Sequence, residues 1–403
     1  MKVNFNSLLY SFSSALDCVE AEVVGIHTDH GKRVACICVQ LGKNLGLSCE
    51  ALVDLAGCAI LHDNALSQSL QAAYDKYGSF EITEDNVGQH CIDGERNLKL
   101  LPFYTDVRGA ILYHHENADG SGPFGKSGEE IPMLAQLIHI ADVLDIDVNL
   151  SQWEEGKMQS VQSYLEQHKG SCFDQQLTEI FLQVYSEEML KQLAEADLTE
   201  LLETELADRI LELSGEELRR ISDLFAAIID YKSVFTKNHS LGLAQKAERM
   251  AVRYGYGQEE REKLYLSAAV HDIGKLAVAT SILEKPGKLT SAEFAEIKNH
   301  AWYSYKILHE IKGFSDITEW AAYHHEKLDG SGYPFGKTGK ELGKNQRLMA
   351  CLDIYQALVE ERPYKSGMTH EKALGILRSM AAKGELDQAI VEDIDDEFQT
   401  VLL

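Results

Sequence analysis

The feature that most constrains the fold of this chain is an internal repeat that spans almost its whole length. The stretch LVDLAGCAILHD recurs in altered form as REKLYLSAAVHD 209 positions later, and ILYHHENADGSG recurs as AAYHHEKLDGSG 210 positions later. Self-similarity over such a distance indicates that one structural unit has been duplicated. We therefore predict two homologous domains, residues 1–186 and 215–403, separated by an acidic linker at 187–214.

The repeated positions are the ones that carry chemistry. Ten of the 15 histidines fall on them, together with two aspartates in each copy. The first copy contributes His30, His62, Asp63, His90, His114, His115 and Asp142, and the second contributes His239, His271, Asp272, His300, His324, His325 and Asp353. A lone histidine is most often a surface residue or a satisfied core residue. Recurrence of the whole set in order, at matched spacing, indicates a metal centre instead.

Within each copy the local signals are almost entirely helical. Ser214 with Glu217, and Thr290 with Glu293, have the capping-box pattern that predicts the start of a helix. The stretch around Asp353 has helical periodicity, whereas LDGSGYPFGKTG has the glycine and proline content of a loop. Only 6 prolines are present in the chain. The sequence thus predicts an all-α fold of two tandem helical bundles.

The linker has a helical pattern of its own. Its apolar residues recur at spacings of four, four, four and three, at Leu198, Leu202, Leu206, Ile210 and Leu213. This spacing predicts an amphipathic helical connector between the bundles. The alternative for the acidic residues of this segment is an ordinary solvated helix face.

Charge and composition restrict what the protein can bind. The net charge of −26 disfavours polymeric nucleic acid and anionic membranes, because both require a basic surface. The sequence has no run of 18 apolar residues that could span a bilayer, and its first residues lack the signal-peptide pattern. The 8 cysteines include no C-x-x-C pair, so we expect reduced thiols in a cytoplasmic protein.

The repeated residue types suit a centre of two metal ions. Imidazole binds Fe, Mn, Co, Ni and Zn well, and a carboxylate can bridge two ions. Five histidines and two aspartates per copy exceed what one ion needs. Two ions about 4 Å apart suit the cleavage of phosphate esters, because they activate water and neutralise the leaving oxygen.

The second copy resembles the HD-GYP family of metal-dependent cyclic-dinucleotide phosphodiesterases, within the HD superfamily. The motifs that carry the resemblance are HDIGK at 271–275, HHEKLDGSGYP at 324–334, and the helix with Asp353 followed by RPYK at 362–365. The resemblance extends in degraded form to the first copy. It implies a fold of two HD-type helical bundles and a phosphodiesterase activity.

The resemblance also implies which residues hold the ions. One ion would be bound by His239, His271, Asp272 and Asp353, and Asp272 would bridge to a second ion bound by His300, His324 and His325. Phe235 stands where some members have a glutamate that recruits a third ion, so we expect two divalent ions, Fe or Mn ahead of Co, Ni or Zn. Gln356 replaces an aspartate that is frequent in the family and that the first copy keeps as Asp145. We expect this position to lie outside the ligand set.

Catalysis and substrate binding would depend on cations and on the Gly-Tyr-Pro loop. Asp272 and Lys275 are the predicted catalytic residues, with Lys275 as a phosphate contact or as the proton donor to the leaving group. The residues expected to bind substrate are Lys275, Gly332, Tyr333, Pro334, Arg362 and Lys365. Tyr333 would stack on a purine. For each cation the alternative is a solvated surface charge.

The first copy keeps every proposed metal ligand but loses the residues around them. Leu66 stands at the position of Lys275, Ser151 stands at the position of Arg362, and the loop lacks its tyrosine. A site without these cations should bind anions less well. We therefore expect a degenerate copy with a structural or regulatory role, which can still carry metal.

Three functions remain open from the sequence. The leading one is hydrolysis of a cyclic dinucleotide, either cyclic di-GMP or 3'3'-cyclic GMP-AMP, to a linear 5'-phosphorylated dinucleotide. The second is a general HD phosphohydrolase that acts on mononucleotides, against which the Gly-Tyr-Pro loop argues. The third is a non-catalytic receptor or scaffold with structural metals, against which Lys275 and Arg362 argue. A homodimer is left open.

Overall fold

The computed structural model describes residues 1–24, 29–77, 87–233, 238–285, 287–361 and 366–399. The chain forms two compact units, Asn4–Ile210 and Leu211–Leu403 with Met1–Val3. Helices dominate both units, which confirms the all-α prediction. Two short strands, β1 (Lys2–Asn4) and β2 (Ile210–Glu212), pair with each other. None of the helices in these ranges has the length and apolarity needed to cross a bilayer.

The unit Asn4–Ile210, here called the first unit, is built around one helix that packs against several others. The helices in its described part are α1 (Phe5–Val24), α2 (His30–Asn44), α3 (Cys49–Ile60), α4 (Leu66–Tyr77), α5 (Val87–Leu98), α6 (Met133–Asp147), α7 (Lys157–His168), α8 (Gln175–Val184), α9 (Glu187–Glu195) and α10 (Leu198–Glu205). Helix α2 packs against α3 and α6, with Ile37, Leu55 and Ile138 fully buried between them. This packing brings the start of α2, the end of α3 and the middle of α6 together.

The other unit, here called the second unit, repeats this arrangement. The helices in its described part are α11 (Gly215–Asp230), α12 (His239–Arg253), α13 (Gln258–Val270), α14 (Thr280–Leu283), α15 (Ser291–His309), α16 (Ser315–Ala322), α17 (Lys344–Val359), α18 (His370–Ala382) and α19 (Gln388–Phe398). Helix α12 packs against α13 and α17, and α15 packs against the 3₁₀ turn Ile273–Ala277. Leu243, Leu264 and Leu348 are fully buried in this core.

Both predicted capping boxes are confirmed. At the start of α11, Ser214 Oγ accepts from the Glu217 backbone N–H at 3.3 Å, and the Glu217 carboxylate accepts from the Ser214 backbone N–H at 2.9 Å. Thr290 and Glu293 make the same pair of bonds at the start of α15, at 3.2 and 2.7 Å. Such bonds satisfy N–H groups that have no partner inside the helix. The second box therefore determines where α15 begins, and hence the register of the helix that carries His300.

The single amphipathic helix predicted over 187–214 is wrong. The segment forms α9 and α10, followed by extended residues and β2. The break falls before Asp197, whose carboxylate accepts from the backbone N–H groups of Thr199 at 2.9 Å and Glu200 at 3.2 Å, and so starts a new helix. Leu198 and Leu202 are buried within the first unit, so they contribute to its core.

Candidate metal centre

The seven predicted ligands of the second copy come from separate elements and meet in the interior of the second unit. They are His239 at the start of α12, His271 and Asp272 directly after α13, His300 in α15, His324 and His325 just beyond the end of α16, and Asp353 in α17. All except His325 are at least nine-tenths buried. A buried cluster of titratable groups requires partners that compensate for lost water.

Two carboxylates organise this cluster. The Oδ1 atom of Asp353 lies 3.0 Å from Nε2 of His239 and 3.9 Å from Nε2 of His271. The Oδ2 atom of Asp272 lies 3.0 Å from Nε2 of His271, and its Oδ1 atom lies 3.3 Å from Nε2 of His300. The two oxygens of the Asp272 carboxylate therefore face two different groups of donor atoms.

The second of these groups consists of three histidines. The Nε2 atoms of His300 and His324 are 3.3 Å apart. The ligand atoms of His300, His324 and His325 all lie within 4.8 Å of one another. His325 also approaches the first group, because its Nδ1 atom lies 3.7 Å from Asp353 Oδ2. The structure thus brings all seven predicted ligands into two adjoining groups.

Three of the rings are oriented by their own helical turn. The Nδ1–H groups of His271, His300 and His324 donate to the carbonyl oxygens of the residues three positions earlier, at 2.8, 2.6 and 2.6 Å. A hydrogen bond of this kind fixes the tautomer and leaves the Nε2 lone pair for another partner. Nε2 is the atom that each of these rings presents to the cluster.

The arrangement fits a cation better than it fits a hydrogen-bond network. Because Nδ1 of His271 carries the proton, its Nε2 and the Asp272 carboxylate are both electron-rich, yet they lie only 3.0 Å apart. Within the described part of the chain this Nε2 atom is fully buried and makes no hydrogen bond. Imidazole nitrogen with carboxylate oxygen is a donor set that divalent transition metals accept. The residues therefore fit the ions that the sequence predicts.

The electrostatics favour neutral imidazoles at His300 and His325 and an ionised carboxylate at Asp353. Burial lowers the pKa of His300 and takes that of His325 to about 3. Burial alone would raise the pKa of Asp353, but its hydrogen bond with His239 and the neighbouring imidazoles hold it well below its usual range. Burial alone would lower the pKa of His239, but hydrogen bonds to Asp353 and Glu360 outweigh it and raise the pKa to about 9. Metal ions bind the neutral imidazole and the ionised carboxylate.

The predicted substrate residues lie partly beside this cluster. The Lys275 ammonium makes an ion pair with Asp272 at 2.6 Å. The Tyr333 ring lies beside the His325 ring, with 4.7 Å between ring centroids, and the Tyr333 backbone N–H donates to the His325 carbonyl at 3.2 Å. Pro334 follows Tyr333 through a cis peptide bond. Arg362, Lys365 and Phe235 lie outside the described residues.

A buried glutamate within the HHEKLDGSGYP motif organises the Gly-Tyr-Pro loop. Glu326 is 2% exposed, and its two carboxylate oxygens accept the backbone N–H groups of Phe335 at 2.7 Å and Lys337 at 2.8 Å. A side chain on Gly332 would lie 2.6 Å from the His325 carbonyl oxygen, so only glycine fits there. Glu326 and Gly332 together hold the loop against the histidine pair.

The glycine of the HDIGK motif permits a close approach between two parts of the cluster. A Cβ atom on Gly274 would overlap with the backbone carbonyl oxygen of His300 and lie 2.6 Å from the backbone nitrogen of Ser304. The Ser304 hydroxyl links the two segments, since it accepts from the Gly274 N–H at 3.0 Å and donates to the His271 carbonyl at 2.7 Å. The turn after His271 is thereby packed directly on α15.

The first unit builds the same kind of cluster. His30 Nε2 lies 3.2 Å from Asp142 Oδ1, and His90 Nε2 lies 3.2 Å from Asp63 Oδ1. The Nε2 atoms of His90 and His115 are 3.2 Å apart. The remaining predicted ligands, His62 and His114, face Asp63 at 3.9 and 3.6 Å. All seven predicted residues of the first copy are thus brought together as well.

The position of Gln356 and Asp145 lies outside both clusters, as expected. The Asp145 carboxylate lies 2.7 Å from Nδ1 of His30, on the side of the ring away from the other ligands. Gln356 instead accepts from the Lys246 ammonium at 2.6 Å. The first copy therefore orients His30 with the Asp145 carboxylate, whereas the second copy orients His239 with the carboxylate of Glu360.

The family model described as "HD domain" matches residues 21–177 and 223–390, which include both clusters. These segments make up most of the chain, so the chain belongs to the HD domain family.

Named relatives agree with this assignment. The 3'3'-cGAMP-specific phosphodiesterase 1 of Vibrio cholerae is 31% identical over 402 residues, which are 97% of this chain and 91% of that protein. The cyclic di-GMP phosphodiesterase response regulator RpfG of Xanthomonas campestris is 34% identical over 177 residues, 43% of this chain and 46% of that protein. The crystal structure of the V. cholerae cyclic GMP-AMP specific phosphodiesterase V-cGAP3 matches 100% of this chain and 99% of its own, with a TM-score of 0.70 and 24% identity. This structural likeness confirms the HD-type helical fold.

Proposed function

We propose that the second unit is a metal-dependent phosphodiesterase that hydrolyses a cyclic dinucleotide to a linear 5'-phosphorylated dinucleotide. The observation that carries this proposal is the pair of adjoining donor groups, which meet at Asp272 within 3.0 Å of His271 and 3.3 Å of His300. The relative that matches 97% of the chain is named for 3'3'-cGAMP. This nucleotide is therefore the first substrate to test, ahead of cyclic di-GMP.

The donor groups divide naturally between two divalent ions, with Fe or Mn as the proposed metals. One ion would be held by His239, His271, Asp272 and Asp353, and the other by Asp272, His300, His324 and His325. When bound, such ions polarise the phosphodiester and activate water for attack on phosphorus. The chain itself positions the ligands and shields them from bulk water, and Tyr333 offers an aromatic face beside His325 on which a purine can stack.

Lys275 is the residue that we assign to the phosphate of the substrate. Its side chain is 18% exposed, whereas that of its partner Asp272 is 4% exposed, so the ammonium lies on the solvent side of the cluster. Burial alone would lower the pKa of Lys275, but Asp272 and Asp353 outweigh it and raise the pKa. The side chain thus stays charged at neutral pH. A fixed ammonium can contact a phosphate oxygen or donate a proton to the leaving oxygen.

Lys275→Leu, which introduces the residue type of Leu66, is expected to lower kcat/KM about 10- to 150-fold, as the loss of one charge-assisted hydrogen bond of about 1.5–3 kcal/mol predicts. Lys263→Leu is the matched control, because Lys263 is similarly exposed on α13 and pairs with Asp316. Steady-state hydrolysis with metal-loaded protein measures both variants. Equal rates for Lys275→Leu and wild type would contradict the role of Lys275.

A substrate panel tests the proposed activity as a whole. The metal-loaded chain is incubated with 3'3'-cGAMP, cyclic di-GMP and mononucleotides, and the products are separated by chromatography. We expect a linear 5'-phosphorylated dinucleotide from a cyclic substrate and no turnover of mononucleotides. Turnover of mononucleotides alone would favour the general phosphohydrolase. No product from any substrate, with folded and metal-loaded protein, would favour the receptor or scaffold.

The first unit has, in this proposal, a structural or regulatory role. Leu66 is buried at the position of Lys275, so the residue at this position supplies no ammonium to Asp63. The cluster of the first unit keeps its ligands, but the position from which Lys275 would contact a phosphate in the second unit is occupied by the apolar side chain of Leu66.

A further inference from the structure

Among the described residues, the cluster of the first unit contains a cysteine where the corresponding position of the second unit has an alanine. Cys91 follows His90 on α5, is fully buried, and is not part of a disulfide. Its Sγ atom lies 3.6 Å from His90 Nε2. The ligand atoms of His90, Cys91, His114 and His115 all lie within 4.8 Å of one another. The thiol therefore faces the same point as the three imidazoles.

The register of the repeat places Ala301 at the corresponding position of the second unit. Ala301 follows His300 just as Cys91 follows His90, and it is equally buried. Alanine offers no donor atom. Where the second unit has three imidazoles, the first unit has three imidazoles and a sulfur.

Two buried atoms beside Cys91 and the three imidazoles have no hydrogen-bond partner among the described residues. The Nε2 atom of His114 and the Oδ1 atom of Asp63 are buried, and neither makes a hydrogen bond among the residues described. They lie 3.6 Å from each other. The Nδ1–H of His114 donates to the Ile111 carbonyl at 2.6 Å, so its Nε2 lone pair is directed at the carboxylate. Two electron-rich atoms in this position require a cation between them or beside them.

We infer that the first unit binds a thiophilic metal ion, Zn²⁺ ahead of Mn²⁺ or Fe²⁺, through His90, His114, His115 and the thiolate of Cys91. Three imidazoles and one thiolate complete the tetrahedral set of a structural zinc site. Thiolate favours softer ions such as Zn²⁺, whereas Mn²⁺ favours oxygen ligands. The inference concerns the first unit alone and does not depend on the substrate of the second.

The thiolate also changes what the ion can do. A hydrolytic ion needs an open position for water or substrate, and a structural ion has none. In the second unit, an ion held by Asp272, His300, His324 and His325 would keep a further position for water or substrate, because Ala301 adds no donor atom. In the first unit, the sulfur of Cys91 fills it. The two units therefore differ in coordination as well as in the residue at the position of Lys275.

Replacement of the metal by Co²⁺ in the full chain tests this site. A thiolate bound to Co²⁺ gives a near-ultraviolet charge-transfer band that imidazole and carboxylate do not give. We expect the band in the wild-type chain and its loss in Cys91→Ala. The control is Cys58→Ala, because Cys58 is equally buried in the first unit but belongs to none of the clusters found in the described residues. Zn²⁺ affinity should fall on the order of a hundredfold or more in Cys91→Ala and stay unchanged in Cys58→Ala.

The outcomes separate clearly. A charge-transfer band that survives Cys91→Ala overturns the inference. If Cys91→Ala fails to fold by circular dichroism, Cys91→Ser retains the size of the side chain, and the band should still vanish. X-ray absorption of the Zn²⁺-loaded wild type needs no variant, and a coordination shell of nitrogen and oxygen alone would also overturn the inference. None of these measurements uses hydrolysis, so a failure of the proposed activity remains distinguishable.

Discussion

Replacement of Asp272 by alanine is expected to reduce hydrolysis of the cyclic dinucleotide on the order of a thousandfold or more, while the fold persists. The Asp272 carboxylate lies 3.0 Å from His271 Nε2 and 3.3 Å from His300 Nε2, so both donor groups lose their shared oxygen ligand. The Lys275 ammonium also loses the partner that positions it at 2.6 Å. The measurements are kcat/KM and metal content per chain, with circular dichroism as the check on folding. A near wild-type rate would refute the dinuclear mechanism.

The repeat supplies a matched control in Asp63→Ala. Asp63 occupies the same position in the first unit, with Oδ1 3.2 Å from His90 Nε2. We expect this variant to retain hydrolysis and to change mainly stability or regulation, because Leu66 stands there at the position of Lys275. The double variants His271→Ala/Asp272→Ala and His62→Ala/Asp63→Ala extend the comparison. Loss of activity only in the first-unit variants would reverse the assignment, and equal loss in both would show that the units are coupled in catalysis.

Gly274→Ala is expected to destabilise the second unit by about 3 kcal/mol. The added methyl group would overlap with the His300 carbonyl oxygen and lie 2.6 Å from the Ser304 nitrogen. Both are backbone atoms, so no side-chain rotation relieves the overlap. To admit the methyl group, α15 must move away from the turn, and this movement takes His300 away from Asp272. Urea unfolding measures the loss of stability, and metal analysis measures the accompanying loss of ions.

The first unit again offers the control. Ala65 stands at the position of Gly274, and Gly94 stands at the position of Ser304. The glycine of this contact is therefore on the helix in the first unit and on the turn in the second unit. A Cβ atom on Gly94 would lie 3.0 Å from Ile111 Cγ2 and 3.1 Å from Asn64 Nδ2. Ala65→Gly should cost about 1–2 kcal/mol, because it adds backbone freedom and removes one buried methyl group. Similar costs for Gly274→Ala and Ala65→Gly would contradict this account of the contact.

The repeat is what made the metal cluster predictable from sequence. Asp142 and Asp353 are far from the histidine motifs along the chain, and comparison of the two copies identifies them at once. The capping boxes at Ser214 and Thr290 could likewise be predicted, because their hydrogen bonds join residues only three positions apart. Local chemistry and repetition are both visible in a sequence without knowledge of packing.

What the sequence could not show depends on packing between distant segments. The spacing of Leu198 and Leu202 fits one long helix or two short ones, and the capping by Asp197 decides between them only once the chain has folded. Asp17 and Asp230 accept the N–H groups of Gly31 and Ser240, at 3.0 and 3.1 Å, beside the first histidine of each cluster. They are 213 positions apart and so fall outside the register of the other ligands.

Cys91 illustrates the same limit in another way. Its difference from Ala301 is visible in the sequence, but adjacent residues on a helix usually point in different directions. Only the folded structure shows the sulfur 3.6 Å from the neighbouring imidazole.

The short hydrogen bonds from histidine Nδ1 to the carbonyl three residues earlier bear on how the two units diverged. His62 and His114 bond Ala59 and Ile111 in this way at 2.7 and 2.6 Å, as their counterparts do in the second unit. Each ring therefore carries its alignment within a single turn of backbone and needs no help from the residues that face the substrate. A duplicated copy can therefore lose the residues that face the substrate while the metal ligands keep their orientation. In the first unit the ligand set is complete although Leu66 stands at the position of Lys275, so retention of the ligands does not depend on retention of the residues that face the substrate.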